Sequence, residues 1–88
     1  MAKQPKRFVY LLQSVVASDR TYVGLTCDVT ARLRDHNAGR NPSTACHKPW
    51  KVLVTVEFRS EPGAVSFEQY LKTGSGRAFT RRHFRRDT

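Results

Sequence analysis

The sequence predicts an α+β fold, a three-stranded antiparallel sheet with flanking helices in the order ββαβαα. Three observations predict it. Runs rich in aromatic and β-branched residues at 8–13, 21–26 and 51–58 read as strands. The first two are close enough in sequence to pair as an antiparallel hairpin. Capping residues and glycines bound three further segments with helical signals. With 88 residues the chain is one domain, able to bury roughly 60–65% of its unfolded surface.

Residues 1–7 form a short basic lead-in, residues 8–85 the domain and residues 86–88 a tail. The first strand, 8–13, leads through a connection with Ala17, Ser18 and Asp19 at its tip to the second, 21–26. A turn centred near Val16 would set Tyr10 opposite Tyr22, on one face of the sheet. Asp28 is a suitable N-cap for a helix over 29–38, which Gly39 closes. Asn41, Pro42, Ser43 and Pro49 make 40–50 a loop, and its Arg40, His47 and Lys48 give it a functional surface. The strand 51–58 is the clearest in the chain. Ser60 as cap and Pro62 in the first turn open a helix that runs to about Thr73. Ser75 is the candidate cap of a last helix, from Gly76 to about Arg85.

Charge narrows the partners. Sixteen Lys and Arg oppose seven Asp and Glu, a net charge of +9. A small domain this basic is suited to a polyanion, most often nucleic acid. No apolar run approaches the ~20 residues of a membrane span, so no membrane role is expected. Cys27 and Cys46 make no disulfide framework, which points to a reducing cytoplasm, with nucleoid association open. They form no Cys-x-x-Cys pair for zinc either.

Helical periodicity places charges where a core should be. Positions 29, 32, 33 and 36 share a stripe on which Val29 and Leu33 point inward, yet Arg32 and His36 lie on it too. In the next helix Ala64, Phe67 and Leu71 mark the inward face, and Glu68 sits among them. A carboxylate on an apolar stripe is costly unless paired. The pattern leaves two readings open, a buried Arg32–Glu68 ion pair or an active site. Two tyrosines on one sheet face, a His one turn from the Arg and a basic surface favour the second. Acid, cation, phenol and imidazole together suit phosphodiester chemistry.

On these residues the sequence resembles the GIY-YIG nuclease family. Phe8-Val9-Tyr10 stands where that family has Gly-Ile-Tyr, and Tyr22-Val23-Gly24 stands for Tyr-Ile-Gly. Arg32 matches the family's helix arginine, and His36-Asn37-Ala38-Gly39 resembles its His-x-x-Gly. Glu68, with Leu71-Lys72 after it, matches the metal-binding glutamate and nearby Lys. The segment from Lys72 to Phe79 is similar to small, stand-alone bacterial members. Gly-Ile is replaced by Phe8-Val9, and no Asn follows Asn41, whereas many members carry one about a dozen residues after the glutamate.

The resemblance implies a metal-dependent endonuclease that hydrolyses phosphodiester bonds in DNA, in branched or damaged structures, with RNA not excluded. Its cofactor would be one divalent ion, Mg²⁺ or Mn²⁺, with Glu68 as the only protein carboxylate on it. Arg32 would hold the nonbridging oxygens. Tyr10 or Tyr22 would take the proton of the attacking water, with Tyr10 the preferred base and Tyr22 positioning the water, and His36 would orient a tyrosine or touch phosphate. Gly24 and Gly39 are structural. Arg40, Lys48, Lys51, Lys72, Arg77, Arg81, Arg82, Arg85 and Arg86 are the expected nucleic-acid contacts, to backbone rather than bases. The rival reading is a non-catalytic nucleic-acid-binding module, or an accessory protein whose partner targets the substrate; the missing Asn is its motive. The oligomeric state is not legible.

Overall fold

The structure is a computed structural model that describes residues 4–85. Arg86 and the expected 86–88 tail lie outside the described residues, as do the first three residues of the lead-in. The elements are β1 (Phe8–Ser14), β2 (Thr21–Thr26), α1 (Val29–Asn37), a 3₁₀ turn (Ala45–His47), β3 (Trp50–Glu57), α2 (Glu61–Leu71) and α3 (Gly74–His83). The expected α+β order, ββαβαα, is the one observed.

The sheet order is β2-β1-β3, with both pairings antiparallel. β1 is central, which explains its unbroken apolar run: Val9, Tyr10, Leu11 and Leu12 are each no more than 1% exposed. Its side chains alternate between two cores. Val9 and Leu11 pack with Ala64 of α2 and Leu71, joined by Phe67, Phe79 and Phe84. Tyr10 and Leu12 pack with Trp50, Tyr22 and the Val29 and Leu33 of α1. Thus α1 covers one face of the sheet, and α2 with α3 the other. The inward stripes expected on α1 and α2 are the ones used.

Several local details differ from expectation. Tyr10 is paired with Gly24, not Tyr22, and Tyr22 is paired with Leu12. The turn is centred at Ala17 because Ser14 still belongs to β1 and its hydroxyl accepts from the Ala17 amide at 3.0 Å. The two tyrosines remain on one face as diagonal neighbours, ring centroids 6.2 Å apart. The Asp28 cap forms, accepting from the Ala31 amide at 3.0 Å. Ser60 holds the cap position of α2 without a side-chain cap bond.

α2 stops at Leu71, and the cap of α3 is Thr73 rather than Ser75, its hydroxyl accepting from the Gly76 amide at 3.1 Å. α3 begins at Gly74, two residues before the expected start at Gly76, and Gly76 serves close approach. A Cβ there would run into the Tyr70 carbonyl oxygen and the Leu71 Cα. Trp50 opens β3 one residue early because the Asn37 amide grips its backbone from α1. Asn37 Oδ1 accepts from Trp50 N at 2.5 Å, and Nδ2 donates to Trp50 O at 3.0 Å.

Candidate active site

Tyr10, Tyr22, Arg32 and His36 converge on the α1 face. Strand alternation points both tyrosines at α1, and the helical repeat brings Arg32 and His36 down onto them. The His36 ring lies 4.7 Å from that of Tyr22 and 5.9 Å from that of Tyr10. Gly24 makes room for this: a Cβ there would collide with the Cζ and hydroxyl of Tyr10, whose ring lies across β2 at that point. The sequence pattern Tyr-x-Gly therefore supplies one aromatic and the space for another.

A buried hydrogen-bond chain is satisfied by the Nδ1–H tautomer of His36. With the Thr44 hydroxyl donating to the Asn41 carbonyl at 3.3 Å, it accepts from His36 Nδ1–H at 2.8 Å. His36 Nε2 is left as an acceptor, and the Tyr10 hydroxyl donates to it at 3.0 Å. Tyr10, His36 and Thr44 are each no more than 1% exposed. Burial and the nearby Arg32 charge push the His36 pKa down, with Asp35 opposing, so the imidazole is held neutral. Burial raises the Tyr10 phenol, against the Arg32 guanidinium beside it. The same contact with the Tyr10 oxygen holds the Arg32 pKa up. His36 is fully buried, and its ring contacts are with Tyr10, Tyr22 and Thr44.

Glu68 lies elsewhere. The Arg32–Glu68 ion pair left open by the sequence is absent, because the two helices sit on opposite faces of the sheet. Arg32 pairs with Asp35 at 3.7 Å and Glu68 with Lys72 at 2.6 Å. The Glu68 side chain is only 15% exposed, so its charge rests on that lysine. α2 packs against the β2 edge of the sheet. A groove of about 560 Å³ there is lined by Tyr22, Lys72, Arg20, Arg77, Arg81 and Arg85, among others. Tyr22 of β2 and Lys72, the ion-pair partner of Glu68, both border it.

The other expected phosphate contacts divide. Lys72, Arg77, Arg81 and Arg85 line the groove, and Arg82 is exposed on α3 outside that lining. Arg40 pairs with Asp35 at 2.8 Å, and Lys48 and Lys51 are exposed at the β3 side of the sheet. Gly39 has φ 77, the left-handed value that closes α1. Sequence reasoning missed Asp35, which bridges Arg32 and Arg40, and Arg20, which joins the groove from the hairpin. It also missed Thr44. A lone threonine in a loop carries no signal of contact with a histidine eight residues earlier.

Comparison with known proteins bears on this site. The family described as the GIY-YIG catalytic domain matches residues 6–82. A structure-specific endonuclease subunit SLX1 of Candida dubliniensis is 35% identical over 86 residues, covering 90% of this chain and 29% of that protein. A UPF0213 protein, YsiG, of Lactococcus lactis is 39% identical over 67 residues, covering 74% of this chain and 62% of that protein. The structure-specific endonuclease subunit SLX1 of Rattus norvegicus is 41% identical over 76 residues, 28% of its own length. The chain spans less than two thirds of the length of each of these relatives.

Proposed function

The chain belongs to the GIY-YIG catalytic-domain family, and from that membership we propose that it is a divalent-metal-dependent endonuclease that cuts branched DNA. The observation that carries the reading is a groove bordered by Tyr22 and five cationic residues, backed by the buried Tyr10–His36 pair on the α1 face. Relatives named as structure-specific endonuclease subunits support a branched substrate and a protein partner that targets it. The two free cysteines suit a cytoplasmic setting.

The acidic groups fit a hydrated ion rather than a protein cage. Among the described residues no three His, Cys, Asp or Glu side chains gather to hold a metal. Glu68 would hold it alone, in place of Lys72, and Mg²⁺ and Mn²⁺ accept such a ligand set with water and phosphate oxygens completing it. When bound, the ion would supply Lewis-acid stabilisation of charge on the phosphate and leaving oxygen.

The side chains then divide the work. Arg32 offers a planar fork to the nonbridging oxygens as charge builds. Tyr22, half-buried and lining the groove, meets the attacking water and takes its proton. This reverses the expected order, because Tyr10 is 1% exposed, donates its own proton to His36 and has a raised pKa. Tyr10 and His36 instead position Tyr22. Lys72, released from Glu68, and the groove arginines hold the flanking phosphates.

The test is cleavage of single-stranded, duplex and branched DNA, and of matching RNA, with Mg²⁺, Mn²⁺ or EDTA. Branched DNA should be cut only with metal. Glu68→Gln and Tyr22→Phe should abolish cutting while melting temperature holds, and Arg32→Lys should slow it by roughly 10²–10³-fold. A Glu68→Gln variant that cuts at the wild-type rate would overturn the metal assignment. A wild-type protein that binds but never cuts would make the chain a binding module.

A further inference from the structure

The β1–β2 turn presents its apolar residues to solvent while its backbone is held rigidly. Val15 and Val16 are 57% and 68% exposed, more than any other large hydrophobic side chain among the described residues. A single exposed valine needs no explanation. Two in succession at the tip of a hairpin are different when that tip is fixed from every side. Ser14 N donates to Arg20 O at 3.0 Å, and Arg20 N to Ala17 O at 2.8 Å. Val15 N donates to Pro49 O at 2.9 Å, and the Ser14 hydroxyl to His47 O at 2.6 Å. Gln13 Nε2 and Arg85 Nη2 both donate to Ser18 O, at 2.8 and 3.0 Å.

The surroundings say what such a tip would meet. On its β2 side begins the groove, with Arg20, Arg81 and Arg85. On its β3 side stands Lys51, exposed and paired in register with Gln13 at the base of the tip, with exposed Lys48 in the preceding loop. A rigid apolar point thus stands between two basic surfaces. Charge complementarity selects a polyanion, and two separate basic surfaces fit two diverging strands better than one rod.

Resting on the nucleic-acid reading above, we propose that the Val15–Val16 tip is a wedge that packs against the open base step of a DNA branch, with one arm's backbone in the Arg20–Arg85 groove and the other along Lys48 and Lys51. Aliphatic side chains inserted at a base step take the place of lost stacking, and a step already open at a branch has little left to lose. The tip would then select branched over continuous duplex without reading sequence.

Binding tests this apart from cleavage. Wild type and Val15→Ser/Val16→Ser are titrated by fluorescence anisotropy, in EDTA, against a splayed-arm DNA and a continuous duplex of equal length, with strands checked for integrity afterwards. Both side chains are exposed, so the variant should keep the wild-type melting temperature. It should bind the splayed DNA about tenfold more weakly, the scale of losing two partly buried valines, and the duplex within about twofold. 2-Aminopurine at the branch step should report contact with wild type and not with the variant. Equal losses on both DNAs, or none on either, would overturn the wedge. So would a concentration-dependent dimer that the double substitution dissolves, which would make the tip a self-association surface. An absence of cleavage in the earlier assay would leave this binding result standing.

Discussion

At the residue scale the buried histidine is the group most constrained by its surroundings. His36 sits between Tyr10 on β1 and Thr44, beside Tyr22 on β2 and within the fields of Arg32 and Asp35 on its own helix. Its pKa is lowered in the folded state, so the unfolded chain binds the extra proton first as pH falls. Above the unfolded value near 6.5 neither state carries the proton and its contribution is intact; it is lost as pH drops from there toward the folded value. Melting temperature should therefore fall between about pH 7 and pH 5, and His36→Gln should flatten that slope. ¹⁵N NMR on histidine-labelled protein should show the neutral Nδ1–H form of His36 at pH 7. Thr44→Ser should keep that tautomer and Thr44→Val lose the preference. A protonated or Nε2–H ring in wild type would refute the chain of bonds drawn here.

Among the secondary elements, the tightest demand falls on the α2–α3 elbow. Lys72 and Thr73 alone separate the helices, and Gly76 lets the first turn of α3 rest on the last turn of α2. The obstructing atoms are backbone, so they cannot swing aside as a side chain would. Gly76→Ala should destabilise the fold by roughly 1–3 kcal/mol despite the better helix propensity of alanine. Chemical denaturation would measure it, and a stabilised variant would show that the elbow opens freely. Because this elbow carries Lys72, Arg77 and Arg81 to the groove, the variant should weaken DNA binding as well.

For the whole molecule, binding is a matter of where the positive charge gathers. The groove draws on the hairpin, the end of α2 and α3, three segments far apart in sequence. DNA affinity should fall by roughly 0.9 log units per log unit of salt for each phosphate neutralised. Replacing Arg20, Arg77, Arg81 and Arg85 with Ala should flatten that slope, whereas Arg82→Ala should leave it nearly unchanged. An unaltered slope in the fourfold variant would move the backbone contact to the Arg40, Lys48 and Lys51 side.

Strand period, the Asp28 cap and the inward stripes of α1 and α2 were legible in the sequence because each is a local preference that tertiary packing reinforces. The same stripes exposed Arg32, His36 and Glu68 as charges in apolar company. Three things were decided only in the tertiary structure. One-residue placement of the hairpin turn changed which residue faces Tyr10, because register depends on hydrogen bonds from Ser14 that no period encodes. The order β2-β1-β3 put α1 and α2 on opposite faces, so two inward charges that looked like partners each found another close by in sequence, Arg32 with Asp35 and Glu68 with the Lys72 that caps α2. Burial separated the two tyrosines, closing Tyr10 under α1 and leaving Tyr22 at the groove. Alternation along a strand states which face a side chain takes; how deeply that face is covered depends on helices brought in from elsewhere in the chain.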